Sequence, residues 1–285
     1  MSVLIIGISI GMTLFLLAAG LTLIFGMLGV INFAHGALYM LGAYLAYQLV
    51  TWTGSFWLAL VVSPLIVAAL AAAMEFVAMR PVYKRDHYYQ VLLTFGAILV
   101  IDEIVRMVWG LQAKLLAAPP GLRESVVLFG SDISSYRLFL IAFGMVVSAL
   151  LFFMLEQSRY GMIIRACSKD SDMAACLGIN VPRVRTAIFA LGAGLAALGG
   201  VVSGPLFPVD TNMGFLIIIN CFIVVVVGGL GNIKGSLLGA LLIGLVQAYG
   251  QRYVPELIGV LTYVLFIAVL LTRPQGLFSR ALRQS

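Results

Sequence analysis

The chain has 285 residues, of which 62% are apolar and only 10% are charged, and its formal net charge at pH 7 is +6. Soluble globular domains carry roughly 25% charged residues. The low charged fraction of this chain therefore excludes a soluble globular domain and indicates a polytopic membrane protein. The positive charge does not indicate a nucleic-acid partner, because the cations are spread through short loops without interleaved exposed aromatic residues.

Apolar stretches follow one another along most of the chain. A membrane-spanning helix needs roughly 20 apolar residues, and shorter or glycine-punctuated stretches are compatible with broken or re-entrant helices. We therefore predict an all-α transmembrane helical bundle of about eight or nine spans, forming a single domain over residues 1–285. The stretches are Val3–Leu28, Phe33–Val50, Phe56–Met79, Val91–Trp109, Leu138–Leu155, Thr186–Ser203, Phe215–Val227, Leu237–Tyr249 and Leu257–Thr272.

The cations indicate the orientation, because short cytoplasmic loops are enriched in Lys and Arg. Placing the 80–87 loop inside puts the 157–185 loop, the turn at Lys234 and the C-terminal tail inside as well. With nine crossings the N-terminus lies outside, and a re-entrant second stretch would reverse only that end. The inner side then holds most of the 17 cations, namely Arg80, Lys84, Arg85, Arg159, Arg165, Lys169, Arg183, Arg185, Lys234, Arg273, Arg280 and Arg283.

Two similar glycine-rich strings, at residues 26–36 and 228–240, interrupt apolar stretches. Interrupted helices at matching positions of two halves often line a transport pathway, because their freed backbone groups can face a cavity. Ordinary inner turns would give the same pattern. Asn220 and Gln247 lie deeper in later spans, where they could either face a pathway or form interhelical hydrogen bonds. The candidate pathway residues are Asn32, His35, Gly36, Asn220, Gly231 and Asn232.

A few charged residues lie within or beside the apolar stretches. Glu75 and Arg80 are expected to anchor the inner boundary of the third stretch. Asp102 and Arg106, near the outer end of the fourth, have the i,i+4 spacing of a helical ion pair. A substrate contact is the alternative for this second pair, because charged groups inside a membrane normally face a lumen or a partner.

The loop at residues 157–185 is polar and basic, and it is longer than a connection between two spans needs. Ser171 can cap the amides ahead of it, Asp172 suits the positive helix end, and Gly178 can close a helix in the left-handed conformation. We predict a short helix, Asp172–Leu177, whose small apolar surface enters a groove in a partner protein. Adsorption to lipid is the alternative, but aromatic anchors are missing. The residues assigned to this surface are Ser171, Asp172, Ala174, Ala175, Leu177 and Gly178.

Four small residues recur at every fourth position in the sixth stretch, namely Gly192, Ala196, Gly200 and Gly204. This spacing puts them on one face of a helix and allows another helix to approach closely. We predict a helix-packing face, with subunit contact or substrate passage as the alternative.

Catalytic and metal-binding motifs are missing from the sequence. The string nearest to a phosphate-binding loop, at residues 231–236, has its lysine and glycine in the wrong order. Three cysteines and two isolated histidines predict neither a disulfide framework nor a metal site. We therefore expect a transport protein rather than an enzyme, with no cofactor of its own, so that any ATP is bound and hydrolysed by another subunit.

Several strings resemble one family of membrane proteins, and they do so in order over nearly the whole chain. The 174–182 string, AACLGINVP, is similar to the coupling-helix loop of ABC-importer permeases. The other strings resemble the branched-chain amino acid permease family: Gly20–Gly26 (GLTLIFG), Asn32–Gly36 (NFAHG), Gly228–Gly231 with Gly235 and Ser236, and the tail Arg273–Phe278 (RPQGLF).

The resemblance implies a pore subunit of a bacterial inner-membrane importer, multi-pass, with its coupling loop and C-terminus cytoplasmic. Members of the family pair with a homologous second permease and two cytoplasmic ATPase subunits, and an external solute-binding protein delivers the substrate. Branched-chain amino acids, urea, short amides and aromatic acids are the solutes that related permeases carry. The competing prediction is an autonomous ion-coupled secondary transporter or channel, which would need a relay of deeply buried charges.

Overall fold

The computed structural model describes residues 1–83, 85–128 and 130–277, and these residues are almost entirely helical. A short antiparallel hairpin, β1 (Ser125–Leu128) with β2 (Ser131–Ser134), is the one sheet that they contain. The helices are α1 (Ser2–Leu28), α2 (His35–Thr53), α3 (Phe56–Met74), α4 (His87–Trp109), α5 (Ser135–Phe152), α6 (Arg159–Lys169), α7 (Ser171–Cys176), α8 (Val181–Ser203), α9 (Met213–Gly228), α10 (Ile233–Tyr253) and α11 (Ile258–Thr272).

Each of the nine predicted apolar stretches lies largely within a helix, so the prediction of an all-α membrane bundle is confirmed. π-helical turns at Glu75–Met79 and Phe153–Gln157 prolong α3 and α5, and a 3₁₀ turn at Arg80–Val82 follows the first of them. Within the described residues, six helical stretches are long and apolar enough to cross a membrane: Ser2–Leu28, Phe56–Val82, Ser135–Gln157, Val181–Ser203, Ile233–Tyr253 and Pro255–Thr272. The apolar α9 is shorter.

The second stretch enters the bundle as non-helical chain. Gly29 ends α1 in the left-handed conformation, with φ 65°. The chain then runs without regular helix to His35, the first residue of α2. The His35 ring lies 2.9 Å from the carbonyl oxygen of Leu17, about 16 Å before the end of α1 at 1.5 Å per residue, so α2 begins within the depth of the bundle.

Helices α1 and α8 form the centre of the bundle, and each is mostly buried along its length. Phe15 and Phe189 are fully buried at this centre. By contrast, α4, α5 and α11 expose large apolar side chains such as Leu99, Leu150 and Leu271. Exposed apolar residues on outer helices are expected of a protein whose surroundings are lipid.

The two ends of the bundle differ in what they contain. At the first, which we call the loop end, the last turn of α1 contacts α6 and the turn before α10. At the opposite hairpin end, the start of α5 meets the end of α8 through a hydrogen bond from the Tyr136 hydroxyl to the Val202 carbonyl oxygen. A bridge between Lys114 and Val209 joins two connecting segments there.

Candidate functional site: a capped helix at the loop end and a cavity at the hairpin end

The short helix at the loop end begins one residue earlier than predicted, and a different side chain caps it. The helix is Ser171–Cys176, and the Asp170 carboxylate accepts hydrogen bonds from the amides of Asp172 and Met173 at 3.1 and 2.9 Å. The predicted cap at Ser171 is therefore wrong. Asp170 has extended backbone angles, which an N-cap requires, whereas Ser171 already lies within the helix.

The end of α7 is closed by Gly178, which has φ 84°. Its amide donates to the carbonyl oxygen of Ala175 at 3.0 Å, and the next amide, that of Ile179, donates to Ala174 at 3.1 Å. This pair of bonds is a Schellman motif, in which a left-handed residue turns the chain away from the helix. Both ends of a helix of only six residues are thus fixed by its own neighbours.

One face of α7 points into the protein and the other points away. Ala174 is buried against Cys167 and Val181, so the prediction that it is presented to a partner is wrong. Ala175 is exposed, and the side chains of Met173 and Leu177 are 59% and 74% exposed. A short apolar surface therefore projects at the loop end, beside the exposed carboxylate of Asp172.

The segment that carries α7 is attached directly to α1. The Ser168 hydroxyl donates a 2.6 Å hydrogen bond to the carbonyl oxygen of Gly26 in the last turn of α1. Met27, the next residue, packs against the cluster that contains Ala174. A Cβ added at Gly26 would lie 3.1 Å from the Cα of Gly231, so the two glycine-rich strings touch backbone to backbone.

A second attachment joins the start of α8 to the end of α3. Glu75 is completely buried, and its carboxylate accepts a 2.5 Å hydrogen bond from the Thr186 hydroxyl. The guanidinium of Arg80 lies 3.8 Å from the same carboxylate and donates to Thr186 at 2.9 Å and to the Pro182 carbonyl at 3.5 Å. Glu75 and Arg80, the pair expected to anchor the end of α3, thus also bind the start of α8, the segment that follows α7.

The pathway candidates of the first string lie deep in the bundle. Asn32 and His35 are fully buried, and the described residues offer no hydrogen-bond partner to the Asn32 side chain or to Nδ1 of His35. Since a carbonyl oxygen only accepts, Nε2 of His35 carries the proton donated to Leu17. Gly36 abuts Gly214 of α9, and a side chain at either position would meet the other helix's backbone.

The candidates of the second string form the turn that starts α10. Gly231 has φ 77°, and Asn232 caps α10 by accepting from the Gly235 amide at 3.1 Å. Gly231 and Asn232 line a loop-end cavity of about 620 Å³ between α1, α5, α6 and α10. An ion pair of 2.6 Å between Lys234 and Glu156 crosses this cavity's edge.

Asn220 lies far from the other candidates, in a cavity of about 360 Å³ that reaches the hairpin end. The Gln247 amide of α10 donates a 3.3 Å hydrogen bond to the Asn220 side-chain oxygen, and the Asn220 amide donates to Leu216 at 3.4 Å. Sequence reasoning missed Asp210, which lines the same cavity. A carboxylate in the short polar turn between two apolar spans was the available signal.

Asp102 lies elsewhere, in a groove that it shares with Phe95 and Thr211. The described residues form two ion pairs within 4.0 Å, and the predicted pair of Asp102 with Arg106 is not one of them. Across the described part of the chain, no group of three His, Cys, Asp or Glu residues is placed to hold a metal ion.

The small residues of α8 contact two different helices. A Cβ at Gly192 would lie 2.8 Å from the Gly20 carbonyl oxygen of α1, and one at Gly200 would collide with the Tyr39 carbonyl oxygen of α2. Ala196 between them is fully buried, and Gly204 faces Leu116. The face thus lies at the junction of α1, α2 and α8.

Known proteins match this chain along nearly its whole length. Residues 3–270 match the family described as the permease component of branched-chain amino acid transport systems. The chain is 31% identical to the high-affinity branched-chain amino acid transport system permease protein BraD of Pseudomonas aeruginosa, over 96% of this chain and 94% of BraD. The chain is also 31% identical to LivH of Escherichia coli K12, a high-affinity branched-chain amino acid transport system permease protein, over 96% of this chain and 94% of LivH. LivM of that strain is 24% identical, over 92% of this chain and 67% of LivM.

Proposed function

The chain belongs to the branched-chain amino acid permease family, and we propose that it is a membrane-spanning permease subunit of a binding-protein-dependent ABC importer. Its substrate is a branched-chain amino acid or a related small polar solute. Residues 1–285 act as a single permease domain, and residues 157–185 form its coupling loop. The sequence likeness to BraD and LivH over almost the full chain supports this function.

The observation that carries the coupling role is the exposed apolar face of α7, with Met173 and Leu177 outside the membrane-spanning helices. Apolar side chains on a rigid, doubly capped helix suit a groove in another protein, since burying each one fully contributes about 1.5–3 kcal/mol. Force applied to α7 reaches α1 through Ser168 and Gly26, and reaches α3 through Thr186 and Glu75. Both routes lead into the spans.

The partners follow from the same role. Two cytoplasmic ATPase subunits bind the α7 face and hydrolyse ATP, and a solute-binding protein delivers substrate at the hairpin end. The likeness of this chain to both LivH and LivM supports pairing with a homologous second permease. This chain binds no cofactor and catalyses no chemical step in the proposed mechanism, in which the spans rearrange around a central path.

The proposed location is the inner membrane of a bacterium, with the loop end in the cytoplasm. Arg159, Arg165, Lys169 and Arg183 surround α7 in sequence, as expected for a cytoplasmic loop. Lys84, Arg280 and Arg283, which are among the cations predicted to be cytoplasmic, lie outside the described residues. Phe278 of the tail string does so as well.

Purification from the native membrane followed by reconstitution tests this function. We expect the chain to co-purify with an ATPase pair and a second permease, and the complete set to drive ATP-dependent uptake into vesicles. The chain alone should accumulate nothing against a gradient. Uphill accumulation by the isolated chain would instead identify an autonomous, ion-coupled transporter and overturn the proposal.

A further inference from the structure

The loop-end cavity is a cleft between α5 and α10, both of which pack on α1. Its α1 wall includes Thr22 and Leu23, and α6 contributes Ile164 and Ser168. The volume of about 620 Å³ lies within the range of roughly 300–1,000 Å³ that is usual for small-molecule sites. The cleft is therefore large enough to hold a ligand headgroup.

The helices on either side of the cleft expose apolar side chains beside it. Leu238 of α10 lines the cleft and is 45% exposed, and Leu242 is exposed one turn further along the same helix. On the other side, Phe152 lines the cleft and the adjacent Phe153 is exposed. In a chain that spans a membrane, side chains of this kind contact acyl chains. We therefore expect the cleft to be open to lipid.

The charged residues of the cleft have a positive balance. Among the described residues that line it, Arg165 and Lys234 are cations and Glu156 is the one carboxylate. The Lys234 ammonium lies 2.6 Å from the Glu156 carboxylate and 6.0 Å from the centre of the Phe152 ring. Both side chains of this ion pair are more than half exposed. Such a pair contributes little to stability, so a second anion can share or displace it.

The two cations retain hydrogen-bond donors for such an anion. A lysine ammonium has three N–H donors and an arginine guanidinium has five. Lys234 pairs with Glu156, and Arg165 donates to the carbonyl oxygen of Leu155. The remaining N–H groups can form charge-assisted hydrogen bonds with phosphate oxygens. Lys234 is the second residue of α10 and Glu156 lies at the end of the turn that prolongs α5, so the charges lie where the spans end.

We propose that this cleft binds an anionic phospholipid, with the lipid phosphate at Lys234 and Arg165 and an acyl chain along the exposed apolar side chains of α5 and α10. Basic pockets between membrane-spanning helices are known to bind lipid headgroups in this way. Glu156 then competes with the phosphate for Lys234. The inference requires only that the chain spans a membrane, so it goes beyond the proposed function and does not depend on it.

Native mass spectrometry of the full chain in a nonionic detergent tests the site. The chain is titrated with palmitoyl-oleoyl phosphatidylglycerol or with the phosphatidylcholine that has the same acyl chains. Both lipids carry a phosphate, but the choline cation cancels its charge. We expect phosphatidylglycerol to half-saturate the first bound position at a concentration about fivefold lower than phosphatidylcholine.

Lys234→Gln should raise the half-saturating phosphatidylglycerol concentration about fivefold, which is roughly the contribution of one cation near an anionic lipid surface. Lys234→Arg keeps the charge and should bind like the wild type. Arg159→Gln is the matched control, because Arg159 is an exposed cation of α6 that does not line the cleft. Thermal unfolding of each variant checks that it is folded.

Glu156→Gln distinguishes a phosphate site from a purely structural ion pair. Removing the competing carboxylate frees Lys234, so this variant should bind phosphatidylglycerol more tightly than the wild type, opposite to Lys234→Gln. If the ion pair only holds α5 against α10, breaking it from either side should change lipid binding in the same direction. A shift in the same direction for both variants would therefore overturn the proposal.

A competition arm separates a lipid phosphate from a soluble one. Millimolar inorganic phosphate should leave phosphatidylglycerol binding unchanged, because it gains nothing from the apolar walls. Displacement of the lipid by inorganic phosphate would assign the cleft to a soluble phosphate and overturn the lipid assignment. Equal binding of the two lipids, or wild-type binding of phosphatidylglycerol by folded Lys234→Gln, would overturn the site altogether.

Discussion

The Thr186 hydroxyl lies 2.5 Å from the fully buried carboxylate of Glu75, so the start of α8 is tied to the end of α3. Glu75 and Thr186 are far apart in the chain, and the bond crosses from one membrane-spanning helix to another. Pro182 and Thr186 follow α7 closely in the chain, so we expect a displacement of α7 to act on this bond.

Thr186→Val is expected to destabilise the fold by about 1–3 kcal/mol, since it removes a donor from a buried carboxylate without replacing it. The midpoint of thermal unfolding in detergent measures the loss. Thr272→Val is the control, because the Thr272 hydroxyl is exposed and bonds within its own helix. Equal unfolding midpoints for the two variants would contradict a structural role for the bond.

Gly200→Ala is expected to lower the yield of folded protein, because the added methyl group collides with the Tyr39 carbonyl oxygen. Overpacking of this kind typically costs about 1–3 kcal/mol. Gly96→Ala serves as the control, since a Cβ at Gly96 in α4 meets nothing within 4 Å. Gel filtration and thermal unfolding would report the difference, and similar profiles would show that α2 can move aside.

Ala175→Glu should weaken association with the ATPase subunits at least tenfold, because a carboxylate would have to be buried in an apolar groove. Co-purification and ATP-driven uptake in vesicles measure the effect. Ala117→Glu makes the same change at an exposed position between α4 and the β-hairpin and should leave co-purification with the ATPase subunits unchanged. Tight association of Ala175→Glu would place the ATPase contact elsewhere.

Gly178→Val should reduce coupled transport, whereas Gly178→Asn should largely preserve it. At φ 84°, a residue with a side chain is strained by about 1–2 kcal/mol, and asparagine tolerates this region far better than a β-branched residue. Uptake rates normalised to the amount of inserted protein compare the two. Transport that falls equally in both would point to the glycine's small size and not to its backbone conformation.

Cys176 should react with thiol reagents much faster than Cys167 at neutral pH. Cys176 is exposed at the end of α7, whereas Cys167 is buried, and burial raises the pKa of its thiol so that less thiolate is present. Mass spectrometry after timed labelling distinguishes the sites. Bound ATPase subunits should slow labelling of Cys176, and unchanged labelling in the complex would argue against α7 as their contact.

The sequence predicts the helices well, because a membrane span is defined by a long local run of apolar residues. The predicted edges are less accurate: α8 begins at Val181 and not at Thr186, since Asn180 caps the helix and Pro182 fits its first turn. Polar residues at a span's end can continue the helix, and hydropathy alone does not show this.

The candidate site was predictable only in part. The role of Gly178 in closing α7 follows from local backbone chemistry. The N-cap does not, because Asp170 and Ser171 are adjacent residues with similar capping preferences and the sequence does not choose between them. The burial of Ala174 depends on how α7 lies against α6 and α8, and the cavity at Asp210 needs four helices to form it. Such relationships are tertiary and leave no local pattern.

The contact between Gly26 and Gly231 has a mechanical consequence. Side chains between two helices can absorb a small push by changing rotamer, but here backbone meets backbone with nothing in between. Because neither residue has a side chain that could change rotamer, we expect a shift of the segment that carries α7, delivered to Gly26 through Ser168, to displace Gly231 and the start of α10 as well.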